Sequence, residues 1–377
     1  MRLLSMCLIA LPLALPAQSA SFTYRLGKDT LAIEQFTRTA TGINGEMVQR
    51  SGQAVVRITY SMTLGKDGRP TAATIKRMLA DGTPAPGAPA EYHFTFGADS
   101  VVREVVFADS TQRRAFAAKG AMVTFPTFIY GPTEVMAALR KSGSVDSLLA
   151  LAAVGNLSFT GLTTLGGDSV RLKGGSYPMV LRFDASQKLL SVDGSLTTNK
   201  AMATRAASGI DIATIARAMK PTGVLSARED VRAAFGPGGM VVVDYGRPQV
   251  RERTVWGGTL VPFDSVWRAG ANDATHLFTT RTLTFGSVTL APGMYTLWVQ
   301  HTKNATFLIF NKQTGQWGTQ YDATQDIGRM EMQSAPAPSF TETFTIAVRP
   351  LGGPRGALDL TWADRVMTAS FTVSAAR

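Results

Sequence analysis

Hydrophobic and polar residues alternate along much of the N-terminal half of the chain. The clearest case is residues 56–64, where apolar side chains at even positions alternate with arginine, threonine and serine at odd positions. A period of two places the apolar side chains on one face of a β-strand. The Gly-Lys-Asp-Gly sequence at 65–68 predicts a turn, and a second strand follows over 71–78. This part of the sequence therefore predicts a β-hairpin with one buried face.

The same pattern predicts further strands on both sides of a short helical region. These strands cover residues 92–96, 101–107, 157–162, 169–172, 179–184 and 189–193. Between them, residues 134–141, which follow Pro132, and residues 146–154 have helical patterns, so we predict two short helices. The simplest arrangement is one curved, half-barrel-like antiparallel sheet around a small helical insert.

The C-terminal part also predicts strands, which are joined by turns rich in glycine and proline. They cover residues 231–235, 240–245, 283–290, 295–301, 306–310, 358–362 and 367–373, and Ala-Asp-Arg at 363–365 predicts a turn. Many short strands with almost no helical periodicity are typical of a β-sandwich or jelly roll. The fold class predicted for the whole chain is therefore mainly β.

The composition changes near residue 200, which indicates two domains. All five tryptophans lie in the last third of the 377 residues. Apolar residues at near-helical spacing predict a connecting helix over 211–220 that stops at Pro221. We therefore predict an N-terminal domain over 21–198, a linker with a helix over 199–224 and a C-terminal domain over 225–377.

Residues 1–20 have the features of an export signal. Arg2 is followed by an apolar run over 3–15 and by small residues at 17–19. The run is shorter than the roughly 20 residues of a membrane span, although a retained N-terminal anchor is the alternative. The single cysteine, Cys7, lies in this segment, so we predict a mature chain without disulfides, cysteine-bound metal or a transmembrane segment. The expected location is the periplasm or the medium.

The net charge is +11, and its distribution excludes some partners. No stretch contains the dense lysine and arginine cluster typical of nucleic-acid binding, so we predict no such partner. Phospholipid headgroups or lipopolysaccharide would suit a basic exported protein, and dispersed solubilising charge is the alternative. The serine-hydrolase, zinc-protease and nucleotide-binding signatures are missing, and we predict no cofactor.

The most specific sequence motifs lie between residues 244 and 318. They are Asp-Tyr-Gly-Arg-Pro at 244–248, Gly-Gly-Thr-Leu-Val-Pro-Phe at 257–263, Val-Trp-Arg-Ala-Gly-Ala-Asn at 266–272, Leu-Ala-Pro-Gly-Met-Tyr-Thr-Leu at 290–297, Phe-Asn-Lys at 310–312 and Gln-Trp-Gly at 316–318. In order and spacing these motifs resemble the DUF2911 family of bacterial envelope proteins, from near Leu225 to the C terminus. The resemblance implies an exported β-rich domain with no established activity.

Two further expectations come from resemblance. The element order of the N-terminal part is similar to that of the half-barrel of periplasmic lipoprotein carriers and lipid-binding envelope proteins, in element order only. In the C-terminal part, residues 226–229 match a helix capping box, whereas residues 231–245 read as a hairpin. Members of the DUF2911 family have a strand here, so we predict the hairpin.

Several polar and aromatic residues of these motifs are candidates for ligand binding. Trp267, Arg268 and Asn272 offer an aromatic face, a forked cation and an amide, a combination that binds carboxylates, phosphates or sugars. The alternative is that they brace a glycine-rich loop whose backbone groups have no strand partner. The full set of ligand-binding candidates is Arg247, Trp267, Arg268, Asn272, Asn311 and Trp317.

Histidine chemistry offers two alternatives to a purely structural role. Asp273 and His276 are candidates for a catalytic site, although we assign no catalytic residue. A metal site formed by Asp273, His276 and His301 would require the strands at 275–281 and 295–301 to bring the two rings together. The alternative hypothesis is that both histidines are structural residues that are partly buried. We predict no metal site.

These features favour a non-catalytic exported protein that binds or carries an apolar or envelope-derived ligand, such as a lipid. The first alternative is a hydrolase of envelope polymer that uses Asp273, His276 and Arg268. The second is a carbohydrate-binding module, with envelope polysaccharide as partner and exposed tryptophans as its stacking surface.

The three readings require different structures. The carrier requires an apolar cavity between Phe94, Phe107 and Phe128. The enzyme requires His276 near a carboxylate in an open cleft. The sugar binder requires coplanar tryptophans that face solvent.

Overall fold

The computed structural model describes residues 17–141, 148–152, 157–173, 179–195, 197 and 200–375. The described chain is mainly β and divides into two compact units. The N-terminal unit consists of the chain up to Arg25, Thr30–Gly194 and Met202–Pro221; the C-terminal unit consists of Leu26–Asp29, Ser195–Ala201 and Thr222–Arg377. As far as residue 16, the predicted signal peptide lies outside the described residues. No helix in the described ranges has the length and apolar character needed to cross a membrane.

One open sheet of fifteen strands forms the N-terminal unit. The strands are β1 (Gln18–Leu26), β2 (Asp29–Thr39), β3 (Gly42–Arg50), β4 (Val55–Leu64), β5 (Pro70–Leu79), β6 (Glu91–Phe96), β7 (Ser100–Val106), β8 (Thr111–Ala117), β9 (Met122–Thr124), β10 (Leu148–Ala152), β11 (Leu157–Gly166), β12 (Ser169–Lys173), β13 (Met179–Phe183), β14 (Leu189–Asp193) and β15 (Met202–Ala206). Their order is β8 to β1, then β15 to β9, so β1 pairs with β15 in the middle and Phe22 lies opposite Arg205. The prediction of a large antiparallel sheet is confirmed, with one parallel pair, β9 and β10.

Two α-helices occur in the described part of this unit, α1 (Thr133–Lys141) and α2 (Ile212–Ala218). Both were predicted. The N–H of Thr214 donates to the Asp211 side chain (3.0 Å), which caps α2. Buried residues of α2 pack against β2, β3 and β4 on one face of the sheet.

The second predicted helix, over 146–154, is wrong for its described residues. Leu148–Ala152 forms strand β10 between β9 and β11. Leucine and alanine favour a helix in isolation. Here two neighbouring strands satisfy the backbone of an entirely apolar run, which is the usual setting of a strand buried on both faces.

The C-terminal unit contains two sheets. Its strands are β16 (Arg228–Ala234), β17 (Met240–Gly246), β18 (Val266–Trp267), β19 (Thr275–Thr279), β20 (Leu283–Phe285), β21 (Val288–Leu290), β22 (Gly293–His301), β23 (Thr306–Asn311), β24 (Asp326–Glu331), β25 (Gln333–Pro350) and β26 (Arg355–Val373), and a short 3-10 helix covers Ala323–Gln325. One sheet has the order β16-β17-β19-β22-β23-β24, with β18 on β22, and the other has the order β21-β20-β26-β25.

A single apolar core lies between these two sheets. Val243 and Leu297 from the larger sheet and Phe285, Leu360 and Phe371 from the smaller one belong to it, and all are buried. Burial of one face of each sheet against the other defines a sandwich. The predicted β-sandwich is therefore confirmed, as is the hairpin formed by β16 and β17.

The predicted turn at 363–365 is wrong, because β26 continues through it. The buried positions change from even numbers, ending at Trp362, to odd numbers from Met367 onward. Ala363 has a φ of 54°, and the pairing with β25 shifts register there. The left-handed residue interrupts the alternation of β26, so the side chains that follow lie on the opposite face, and the register shift leaves the extra residues on β25.

Candidate functional site

Residues 125–141, the loop after β9 together with α1, cover one face of the N-terminal sheet. We call them the covering segment. The ring of Phe128 lies 5.1 Å from that of Tyr24, and the ring of Phe125 lies 5.2 Å from that of Tyr60. The segment therefore packs its own aromatic side chains on the aromatic residues of the sheet.

A buried carboxylate holds the middle of the covering segment. The side chain of Glu34, on β2, is fully buried and accepts four hydrogen bonds. The hydroxyls of Tyr24 (2.9 Å) and Tyr60 (2.7 Å) donate from the sheet. The backbone N–H groups of Tyr130 and Gly131 (both 3.0 Å) donate from the segment. A side chain thus takes the place of a strand as the partner of these two amides.

Local sequence makes this close approach possible. Gly131 lies against the ring of Phe36, and a Cβ added there would be 2.5 Å from the nearest ring atom. Phe128 has a φ of 71°, a left-handed conformation that costs about 1–2 kcal/mol for a residue with a side chain. The hydrogen bonds to Glu34 and the burial of the Phe128 ring offset that cost.

A second buried carboxylate also attaches the segment to the sheet. This one belongs to the segment and binds groups of the sheet. Glu134 begins α1 and accepts from the backbone N–H of Leu189 (2.9 Å) and from Arg205 (2.8 Å). Its other oxygen lies 3.5 Å from the guanidinium of Arg38. Removal of one member of such a buried pair costs more than the pair contributes. One carboxylate of the sheet and one of the segment thus fix the segment in place.

Burial dominates the electrostatics of the Glu34 cluster. It raises the pKa of Glu34, while the hydrogen bonds from Tyr60, Tyr130, Gly131 and Tyr24 lower it. Burial first, and then the charge of Glu34, raises the pKa of Tyr24 and Tyr60 well above its ordinary value and that of Tyr130 to about 12. The tyrosines therefore stay protonated as donors. Glu34, Tyr24 and Tyr60 are buried, so the cluster is suited to holding the segment.

The motif residues of the C-terminal unit form a second polar cluster. The guanidinium of Arg268 is buried and donates to the carbonyl of Gly318 (3.0 Å), whose N–H donates to the carbonyl of Asn272 (2.9 Å). A backbone bridge joins Asp273 to Trp317. The structure thus brings Arg268, Asn272 and Trp317 together where two loops meet.

The other three ligand-binding candidates contact different parts of the sandwich. Trp267 is buried and stacks on Trp362, with 5.5 Å between ring centroids. Arg247 pairs with Glu229 (2.6 Å). The side-chain amide of buried Asn311 donates to Asp326 (2.7 Å). These contacts are the internal partners that braced loops require.

The two histidines of this unit lie apart. His276 is paired with Thr296 across β19 and β22, whereas His301 lies five residues further along β22, about 16 Å away at the rise of a strand. The two rings therefore cannot share a metal ion. No group of three potential metal-binding side chains occurs in the described ranges.

His276 accepts a hydrogen bond at Nε2, so in the neutral ring Nδ1 carries the hydrogen and donates to the backbone of Ala274. The N–H of Gly315 donates to Nε2 (2.9 Å), and the guanidinium of Arg228 lies 3.2 Å from Nδ1. Burial, followed by the charge of Arg228, lowers the pKa of His276. The ring is thus held neutral and used as an acceptor, and Asp273 forms no hydrogen bond with it.

Comparison with known families identifies one region. Residues 226–371 match the model of a family described as protein of unknown function (DUF2911). The C-terminal sandwich is similar to this family over these residues, and we refer to it below as the DUF2911 domain. All six ligand-binding candidates lie within this DUF2911 domain, and the Glu34 cluster lies outside it.

The other comparisons are less informative. No curated protein matches the chain. A crystal structure of isotype 1 transferrin binding protein B from serogroup B Neisseria meningitidis is similar at 9% identity, over 96% of this chain and 77% of that one, with a TM-score of 0.14. A TM-score this low supports no conclusion about fold or function.

Sequence reasoning did not find the Glu34 cluster. Its members come from β1, β2, β4 and the covering segment, so no short motif contains them. One signal was present: Glu34 lies between Ala32 and Phe36 on the face that the alternation assigns to the core. An acidic residue at such a position indicates a buried partner.

Proposed function

We propose that the protein is a non-catalytic, exported binding protein whose N-terminal sheet takes an apolar or lipid-like ligand beneath the covering segment. The observation that carries the proposal is the attachment of this segment. Its central amides bind one side chain, Glu34, and not a neighbouring strand. A segment held in this way can leave the sheet without breaking the strand ladder.

The surface beneath the segment supports an apolar ligand. The rings of Phe22, Tyr24 and Phe36 are buried and lie in contact with one another. Aromatic side chains of this kind bury about 150–250 Å² each. Opening of the segment would leave that area exposed to water, and an acyl chain would cover it again.

Of the three phenylalanines expected to line the cavity of a carrier, Phe94 and Phe128 are buried and Phe107 is half-buried. Phe128 packs directly on Tyr24. The ligand would therefore replace the aromatic side chains of the covering segment. Binding and opening of the segment would be two parts of one equilibrium.

Neither alternative function has comparable support. A hydrolase would need His276 hydrogen-bonded to a carboxylate in an open cleft, but its ring nitrogens bond to the backbone of Gly315 and Ala274. A sugar-binding surface would need exposed tryptophans. All five tryptophans are described, and none is among the exposed large hydrophobic residues.

The proposal is tested by lipid binding to the purified protein. Mass spectrometry of the exported protein is expected to detect a retained fatty acid or phospholipid. After delipidation, the protein should bind palmitate. Glu34→Gln should bind it faster, because the new amide nitrogen faces one of the backbone N–H groups that the carboxylate accepted.

Two further variants sharpen the test. Gly131→Ala introduces a Cβ against Phe36 and should also speed binding, which provides a second route if Glu34→Gln does not fold. Glu46→Gln is the matched control, because Glu46 is a partly exposed residue of the same sheet that pairs with Arg57. Folded protein without bound lipid, with no palmitate binding by wild type or either variant, would overturn the proposal.

A further inference from the structure

A bulge on β25, opposite Ala363 of β26, opens the hairpin that the two strands form. Arg365 pairs with Pro336, and Ala363 pairs with Thr341. Two residue steps on β26 therefore face five on β25, and the strands separate between these pairs. Ala337 and Phe340, from the unpaired stretch, line the concavity that results, together with Arg365.

A second concavity adjoins the first and shares Ser334 and Arg365 with it. His301, Lys303 and Glu331 are among its lining residues. The two concavities hold about 470 and 540 Å³, within the roughly 300–1,000 Å³ typical of sites for small molecules. We call the combined depression the Arg365 groove.

Arg365 differs from the other arginines of the described part of this unit. Five of those pair with a carboxylate, and five more donate hydrogen bonds to other groups: Arg228, Arg232, Arg247, Arg251 and Arg349 in the first set, and Arg253, Arg268, Arg281, Arg329 and Arg355 in the second. Arg365 is half-buried, yet within the described ranges its guanidinium has no hydrogen bond and no ion pair. A forked cation at the junction of two concavities offers bidentate hydrogen bonds to an anion.

His301 provides a fixed polar group in the same groove. Its ring stacks on Phe263 (5.3 Å) and meets Trp256 edge-on (5.4 Å), and its Nδ1 is 2.8 Å from the hydroxyl of Thr306. The residue is 4% exposed. Its Nε2 has no hydrogen-bond partner in the described part of the chain. Because His301 lines the groove, this nitrogen is available to a hydrogen-bonding group of a ligand.

The remaining charges limit the kind of anion. Lys303 and Arg365 are balanced by Glu331 and Asp364, which also line the groove. Acidic groups on both sides would repel a polyanion, so a single anionic group fits better. Phe340 is 63% exposed and supplies an apolar surface next to Arg365.

Pairing of an extended peptide with the edge of β25 is disfavoured. Pro336 and Pro338 lie in the part of β25 that borders the groove. Proline has no N–H to donate to an added strand, and prolines on an edge strand prevent such pairing. The recognition chemistry of the groove therefore lies in its side chains.

We propose that the Arg365 groove binds a small ligand with one carboxylate or phosphate group beside an aromatic or aliphatic group. The anionic group binds the guanidinium of Arg365 and Nε2 of His301, and the apolar group packs on Phe340. This site lies entirely in the DUF2911 domain, and it does not depend on lipid binding by the N-terminal unit.

The test uses the full-length mature protein and three probes in an NMR titration. N-acetyl-phenylalanine carries the carboxylate, its amide is the uncharged counterpart, and phenyl phosphate carries the phosphate. Either anionic probe should bind at least about tenfold more tightly than the amide, because the amide cannot accept a charge-assisted bidentate contact. The tighter of the two anions identifies the natural group.

Variants assign the binding to the groove. Arg365→Gln should weaken binding of the anionic probe by about tenfold or more. Phe340→Ala should weaken it while leaving the anion contact intact, and this exposed position does not put folding at risk. Arg355→Gln, at an exposed arginine outside the groove, is the matched control. Equal affinity for acid and amide, unchanged affinity in Arg365→Gln, or no binding of any probe would each overturn the proposal.

Discussion

At the scale of single residues, Glu34 is the acceptor for four donors that have no other partner nearby. Glu34→Ala leaves the hydroxyls of Tyr24 and Tyr60 and two backbone N–H groups without their acceptor. Each buried unsatisfied group costs about 1–3 kcal/mol. We expect the free energy of unfolding to fall by about 3 kcal/mol or more, measured by urea denaturation.

The control for this prediction is Glu46→Ala in the same sheet. Glu46 is partly exposed and pairs with Arg57 (3.2 Å). A pair with this access to solvent contributes about 1 kcal/mol or less. Similar losses in the two variants would contradict the role assigned to the Glu34 cluster.

His276 predicts a pH dependence with a defined sign. Burial lowers its pKa below the ordinary value of 6.5 in the folded protein. The unfolded chain therefore takes up the proton first as the pH falls. The contribution of His276 to stability is present above pH 6.5 and is lost as the pH falls through the lowered pKa, with a slope of at most about 1.4 kcal/mol per pH unit.

His276→Gln separates this effect from the titration of other groups. Glutamine can accept the N–H of Gly315 but does not titrate. The difference in unfolding free energy between wild type and variant should therefore shrink as the pH falls from 7 to 5. A difference that stays constant over this range would show that protonation of His276 does not affect folding.

At the scale of elements, the change of face in β26 depends on the backbone of Ala363. Its φ of 54° is a left-handed conformation that β-branched residues avoid strongly. We expect Ala363→Val to lower the free energy of unfolding by about 2 kcal/mol or more. Ala363→Gly should be close to neutral, because relief of backbone strain offsets the greater freedom of glycine in the unfolded chain. Chemical denaturation of both variants tests this, and equal losses would contradict it.

Most strands could be predicted from the sequence because alternation reports burial directly. Residues 189–193 were predicted as a strand and form β14 without a shift at either end. The predictions were wrong where contacts with other parts of the protein override the structural preference of the local sequence. In β10, pairing on both sides overrides the helical preference of leucine and alanine. In β26, the residues around left-handed Ala363 have the sequence of a turn but continue the strand.

The candidate sites were less accessible to sequence reasoning. The DUF2911 motifs drew attention to Arg268 and Asn272, whose contacts are internal to two loops. Glu34 and Arg365 belong to no motif. Their environment depends on strand register and on residues far away in the sequence, such as Tyr130 for Glu34 and His301 for Arg365. Periodicity alone carries no information about such pairs.

At the scale of the whole molecule, the DUF2911 domain contains its own core. The buried apolar cluster between its two sheets extends from Phe235 to Val373 and draws on no residue of the N-terminal unit. We expect a fragment of residues 222–377 to fold, with cooperative thermal unfolding and a near-ultraviolet circular dichroism signal from stacked Trp267 and Trp362.

The fragment loses contacts of the C-terminal unit that include the ion pairs of Arg251 with Asp29 and of Glu252 with Lys28 and the hydrogen bond of Lys200 to the carbonyl of Thr259. The Glu252–Lys28 pair is exposed and contributes little, and the Arg251–Asp29 pair is partly buried. A modest decrease in midpoint temperature is therefore expected. The same fragment with Leu297→Asp, which buries a charge in the core, serves as the unfolded control. A wild-type fragment that resembles this control would contradict an independent core.

The hydrogen bonds of Tyr130 and Gly131 to Glu34 have one more consequence. Amide hydrogens in a strand exchange with solvent when the hydrogen bonds between strands open. The amides of Tyr130 and Gly131 instead exchange when their hydrogen bonds to the Glu34 side chain break. The exchange rates of these two amides therefore report how often the covering segment leaves the sheet, separately from global unfolding. Addition of a ligand that binds to the sheet should increase the exchange rates of the Tyr130 and Gly131 amides and leave the exchange rates of the β3 and β4 amides unchanged.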